Sequence, residues 1–164
     1  MQKPNALVFG YGNPSRGDDA LGPLALEQLA SLDFADVELL GDFQLQIEHA
    51  LDLENRTLVL FVDANASCAA PFEFCRLQPA RDRSYTTHAM SPEAVLQVYR
   101  ELNDREPPPC FLLGIRGERF ELGEPLSETA AANLVAAMEF LESLCSRLEL
   151  EYWRNCLPNN GPTR

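Results

Sequence analysis

One short stretch near the N-terminus constrains this chain more than any other. Ala6-Leu7-Val8-Phe9 is an apolar run that reads as a strand, and Leu21, Leu24, Ala25 and Leu29 recur at the three- and four-residue steps of a helix face. Between them lies Gly10-Tyr11-Gly12-Asn13-Pro14-Ser15-Arg16-Gly17-Asp18-Asp19, a glycine-rich turn that closes on two carboxylates. A strand handed to a helix through such a turn points to an α/β sheet, with the turn at the carboxyl end of the strand, where ligand sites form. Glycines let the backbone turn tightly and let a partner approach. No Lys-Ser/Thr pair follows, so this is not a phosphate-cradling loop. Ser15 stands where a dinucleotide fingerprint needs its third glycine, and acids at the helix start repel a pyrophosphate. The acid pair suits a cation. Asp18 and Asp19 also fit a plainer role, capping the helix and complementing its dipole, and that role suits Asp18 better than Asp19.

The rest of the chain repeats the alternation. Apolar runs at 6–11, 37–40, 57–62 and 110–115 read as strands, and 72–77 alternates apolar and polar residues as a half-exposed edge strand does. Helical patterns fall at about 20–31, 44–54, 91–102 and 127–148. The third starts with Ser91 as N-cap and Pro92 at the first helical position. The last carries Leu134, Ala137, Met138, Leu141, Leu144 and Leu148 on one face. The expectation is a single-domain, three-layer α/β/α fold with a mostly parallel, twisted sheet of about five strands. It should occupy residues 1–150, with 151–164, rich in Pro, Asn and Gly near its end, as a flexible tail.

Composition excludes several partners. The 164 residues suffice for one domain with a real core. A net charge of −12, from 25 acids against 13 bases, opposes binding to nucleic acid and to anionic membranes. No apolar run nears the roughly 20 residues needed to span a bilayer. With the first strand reading from Ala6, no signal peptide is expected. Five cysteines, at 68, 75, 110, 145 and 156, form an odd set without a Cys-x-x-Cys pair, which fits neither a disulfide framework nor a zinc knuckle. A cytoplasmic protein with free thiols is expected.

Few residues are placed to carry chemistry. Asp63 ends the most apolar strand, at the same sheet edge as the glycine turn; it serves there either as a ligand or as a cap for the next turn. His88 lies in a polar loop just before Ser91, as a ligand or as ordinary surface. His49, inside a helical pattern, reads as a surface or interface residue. No cysteine neighbours a histidine in sequence and no Gly-x-Ser-x-Gly elbow occurs, so a thiol or serine nucleophile has no support. Two aspartates and a histidine would make a three-ligand site for a borderline divalent cation with positions left open.

These motifs resemble those of the hydrogenase maturation endopeptidases, which trim a C-terminal extension from the large subunit of nickel–iron hydrogenases. Gly10-Tyr11-Gly12-Asn13 with Asp18-Asp19 and Gly22 is similar to the family's first motif, Val62-Asp63-Ala64 to its second, and Thr87-His88-Ala89-Met90-Ser91-Pro92 to its third. The resemblance runs from about Ala6 to Leu148. It implies that Asp19, Asp63 and His88 bind nickel, supplied by the large-subunit precursor, and that Gly12, Asn13 and Asp42 meet the substrate. The family's Asp-Gly-Gly-Thr loop stands here as Asp42-Phe43-Gln44-Leu45, keeping only the aspartate, and Asp19 replaces a frequent Glu. The run Gly41–Glu48, with Thr86–Met90, looks like the branch serving soluble NAD-reducing hydrogenases. The general base is left open between Asp18 and Asp42. Two rival readings stand beside this one. A nickel-sensing checkpoint or carrier would bind the precursor without cutting it. A peptidyl-tRNA hydrolase-like enzyme would share Gly12-Asn13-Pro14 after a strand, but it lacks the histidine expected next and carries the wrong charge for RNA.

Overall fold

Strands that are apolar on both faces must be covered on both, and the chain solves this with a five-stranded sheet between two helical layers. The computed structural model describes residues 5–82 and 90–158. The strands are β1 (Ala6–Tyr11), β2 (Val37–Asp42), β3 (Leu58–Asn65), β4 (Phe72–Arg76) and β5 (Cys110–Arg116). Their order across the sheet is β2-β1-β3-β5-β4; all pairings are parallel except that of β4, which runs antiparallel along the edge of β5. This is the mostly parallel sheet expected from the alternation of strand and helix.

Alternate residues of the central strands face opposite layers. Val8, Leu60, Val62 and Leu113 pack with Leu21, Ala25 and Leu29 of α1 (Leu21–Leu32) and with Leu134, Ala137 and Leu141 of α3 (Glu128–Ser146). Leu7, Phe9, Val59 and Phe61 pack with Val95, Leu96 and Tyr99 of α2 (Pro92–Asn103) and with Ala50 and Leu53. Fully burying one such side chain contributes roughly 1.5–3 kcal/mol relative to leaving it exposed. Ser91 caps α2 as the sequence signals, its Oγ accepting from Ala94 N–H at 3.1 Å, and Ser127 caps α3 in the same way, its Oγ accepting from Ala130 N–H at 3.1 Å. Among the described residues no helix is long and apolar enough to cross a membrane.

Three sequence expectations need correction. The helical pattern at 44–54 folds as a 3-10 segment, Ile47–Leu53, entered through a reciprocal cap between Gln46 and His49. Its apolar residues are too few on one face to hold a longer α-helix: Ala50 and Leu53 are buried, whereas Ile47 and Leu51 are exposed. β3 continues two residues past Asp63, which pairs in register with Gly114. The expected tail at 151 also begins too early. Residues Leu150–Asn155 form α4, and Trp153 is fully buried, its ring edge-on to Phe111 with centroids 5.4 Å apart. Its Nε1–H reaches the carbonyls of Leu144 and Arg147 where α3 ends, both at 3.0 Å, beside the backbone N–H that each also accepts.

Candidate functional site

The chain leaves β1 on one side to make β2 and returns on the other side to make β3. The carboxyl ends of β1 and β3 are therefore a topological switch point, where loops diverge and a crevice opens. Asp19 follows β1 and Asp63 lies near the end of β3, so both expected aspartates reach this crevice.

The glycine turn holds Asp19 by close approach. Gly12 has φ +146°, and a Cβ there would sit 2.0 Å from the carbonyl oxygen of Asp19, so no other residue fits. The Asn13 N–H donates to Asp19 Oδ2 at 2.7 Å, and the Asn13 side-chain oxygen accepts from Ser15 N–H at 2.9 Å. Gly22 lets α1 descend onto the sheet: a Cβ would lie 2.5 Å from the Tyr11 carbonyl oxygen and 2.8 Å from that of Val62. Gly12 and Asn13, expected to meet substrate, thus shape the turn around Asp19.

Asp63 stands in a different environment. Its Oδ1 accepts from the Ala64 N–H at 2.8 Å, and the Tyr11 hydroxyl bonds the same carboxyl. Burial, reinforced by the charge of Asp19, pushes its pKa up to about 7 against the pull of those two hydrogen bonds. Asp19 and Asp63 therefore sense each other as like charges. Such a pair resolves its repulsion by keeping a proton or by taking up a cation. His88, expected to complete the set, lies outside the described residues. Among the described residues no group of three or more Asp, Glu, His and Cys side chains is gathered to hold a metal ion.

The two candidates for the general base separate sharply. Asp18 is fully buried. Its Oδ1 accepts from Ser127 N–H at 2.7 Å, and its Oδ2 from Glu118 N–H at 2.7 Å, Arg119 N–H at 3.0 Å and Ser127 Oγ–H at 2.7 Å. Burial alone raises its pKa, but these four hydrogen bonds outweigh it and hold the carboxyl below the ordinary value of 3.8. A carboxylate so occupied is no base, which corrects that expectation; Asp18 is a bracket binding the turn to the loop after β5. Asp42 keeps a free side. At the end of edge strand β2, level with Tyr11, it accepts Phe43 N–H on Oδ1 at 2.7 Å. His49 Nε2 lies 3.3 Å from its Oδ2. The helical pattern implies a surface or interface role for His49, not a partner for Asp42. The signal available was its position three residues after Gln46, where an N-terminal turn favours an acceptor that reaches back.

No protein-family model and no curated protein matches this sequence. Solved structures do. The chain is similar to the NiFe hydrogenase maturation protease HycI of Thermococcus kodakarensis, with 25% identity over 90% of this chain and 96% of that one, at a TM-score of 0.67. It is similar to the hydrogenase maturating endopeptidase HybD of E. coli, with 26% identity over 87% and 93% of the two chains and a TM-score of 0.65. A hydrogenase 2 maturation peptidase from a Thaumarchaeota archaeon matches at 25% identity over 85% and 97%, with a TM-score of 0.61. The likeness to hydrogenase maturation proteases thus extends across most of the chain.

Proposed function

We propose that the protein is a hydrogenase maturation endopeptidase that removes the C-terminal extension of a nickel–iron hydrogenase large-subunit precursor after nickel insertion. The observation that carries this reading is the glycine turn bringing Asp19 within electrostatic reach of Asp63 at the β1/β3 switch point. It gains support from the fold shared with proteases of that class over nearly the full length of both chains. Two repelling carboxylates with open coordination sides suit a divalent cation, and His88 as a neutral imidazole would complete a nitrogen and oxygen donor set fitting nickel.

In this reading nickel arrives with the precursor, as part of the substrate. Held by Asp19, Asp63 and His88, it would supply Lewis-acid chemistry, polarising a carbonyl or activating a water. The chain's own groups do the orienting. The Asn13 N–H aims Asp19, and the Ala64 N–H and Tyr11 hydroxyl aim Asp63. Their precision matters because a shift of about 1 Å in a bound reactant costs on the order of 10²-fold in rate. Of the two carboxylates weighed above, Asp42 is the one with a solvent-facing side, and it takes the substrate-contacting role. The run Gly41–Glu48 supports assignment to the branch serving soluble NAD-reducing hydrogenases.

Incubation of the nickel-loaded precursor with the protein, followed by mass spectrometry, tests this. Loss of the C-terminal extension is expected, with Asp63→Ala and His88→Ala slower by about 10²-fold or more while circular dichroism stays unchanged. A precursor that is bound but stays whole would instead establish the checkpoint or carrier role. Wild-type rates in both variants would overturn the ligand assignment.

A further inference from the structure

We propose that His49 is a positioning residue that holds the Asp42 carboxylate as an acceptor for an N–H donor of the peptide substrate. The substrate in this statement rests on the functional reading above.

Three contacts hold the imidazole. Its Nδ1 accepts the Gln46 N–H at 2.8 Å, which in the neutral ring leaves the proton on Nε2. Its ring lies edge-on to Phe9, with centroids 4.6 Å apart at 66°. Nε2 is left facing Asp42 Oδ2 at 3.3 Å. Capping accounts for the first contact only. Glu or Gln ordinarily serves that position with a flexible chain, so a cap requires neither a rigid ring nor a partner on its far nitrogen.

The order of burial assigns the roles. The His49 side chain is 11% exposed and that of Asp42 is 42% exposed. In a catalytic triad the aspartate is enclosed and the histidine meets the substrate. Here the histidine is enclosed, so the carboxylate is the outward member and the imidazole aims it. Phe43 N–H on Oδ1 and His49 on Oδ2 restrain both oxygens, lowering the rotamer entropy lost when a ligand binds. Asp42 opens onto a groove of about 260 Å³ that Gly10, Gly12, Pro14 and Phe43 also line, beside the turn that carries Asp19. An extended peptide reaching the aspartate pair can lie along this groove with a backbone N–H or cationic side chain against the free face of Asp42.

The test compares Asp42→Asn, His49→Gln, His49→Glu and the double variant Asp42→Asn/His49→Glu in cleavage of the nickel-loaded precursor. Unfolding midpoints confirm that each is folded. Gln and Glu can both accept the Gln46 N–H, but Glu sets a second negative charge against Asp42. The expected result is that His49→Glu loses about tenfold or more in kcat/KM relative to His49→Gln, mainly through KM, and that the double variant is no slower than Asp42→Asn. Equal rates for the Gln and Glu variants, or additive losses in the double variant, would overturn the proposal. A second measurement needs no substrate: the Nε2 proton of His49, followed by NMR, should exchange with water about tenfold faster or more in Asp42→Asn. An unchanged exchange rate would refute the pairing itself. Wild-type protein that leaves the precursor whole overturns the functional reading, while this exchange rate still decides the pairing.

Discussion

Replacing Asp18 by Asn should weaken the fold far more than an isosteric change elsewhere. The carboxylate accepts four donors, one on Oδ1 and three on Oδ2, with no exposure to water. An amide offers a single acceptor oxygen. If its NH₂ replaces Oδ1, the Ser127 N–H meets a donor; if it replaces Oδ2, three donors do. The first orientation is cheaper. It leaves one buried N–H unsatisfied, at roughly 1–3 kcal/mol, and roughly halves three charge-assisted bonds. A net loss of about 3–4 kcal/mol follows, a large share of the roughly 5–15 kcal/mol that holds a domain together. In a domain of this size that lowers the midpoint of thermal unfolding by about 10 °C. The effect must also depend on pH. Because the folded carboxyl titrates below its ordinary 3.8, its contribution is present above that value and is lost as pH falls through the folded pKa. Thermal and urea unfolding of both proteins, followed by circular dichroism, should show the full gap near pH 7 and a shrinking one below about pH 3.8. A variant as stable as wild type at neutral pH would refute the reasoning. So would a gap that stays constant into acid.

Two further outcomes are expected elsewhere in the molecule. Trp153→Ala should cost about 3–5 kcal/mol in urea unfolding, because it empties a fully buried site against Phe111 and removes the indole donor shared by two carbonyls at the end of α3. With an aromatic disulfide reagent near pH 8, Cys156 should react first. Burial pushes the Cys145 thiol up to about 12 and raises that of Cys110 as well, so these two should stay silent until the protein unfolds. Rapid labelling of either in the folded protein would contradict their burial.

What was legible in the chain was local. The steps of Leu21, Ala25 and Leu29, the apolar run before Asp63 and the Ser91-Pro92 cap are written in neighbouring residues, and the fold follows from them. Asp19 and Asp63 were legible as residues at strand ends because a parallel sheet gathers those ends on one edge. Asp18 and Asp19 were harder to tell apart. The partners that occupy Asp18 lie 100 to 109 residues away, a separation at which no periodicity speaks. His49 was hidden by a change of helix type. A 3-10 turn aims successive side chains differently from an α-helix, so the helical pattern at 44–54 could not place the imidazole. Trp153 was obscured by the Pro, Asn and Gly residues that follow it, which signal an end to regular structure a few residues too early.

The span between Asp18 and its partners also bears on when the site comes into being. Asp19, Asp42 and Asp63 all belong to the first 65 residues, which supply β1, β2 and β3. The donors that clamp the turn beside Asp19, from Glu118, Arg119 and Ser127, are translated later, after β5. A growing chain can therefore hold all three aspartates and still lack the brace that sets the first of them. Without those donors the turn keeps its local bonds, such as Asn13 N–H to Asp19, but lacks the four that anchor Asp18. The brace can form only once the chain through Ser127 has been made, so the glycine turn is clamped late in synthesis.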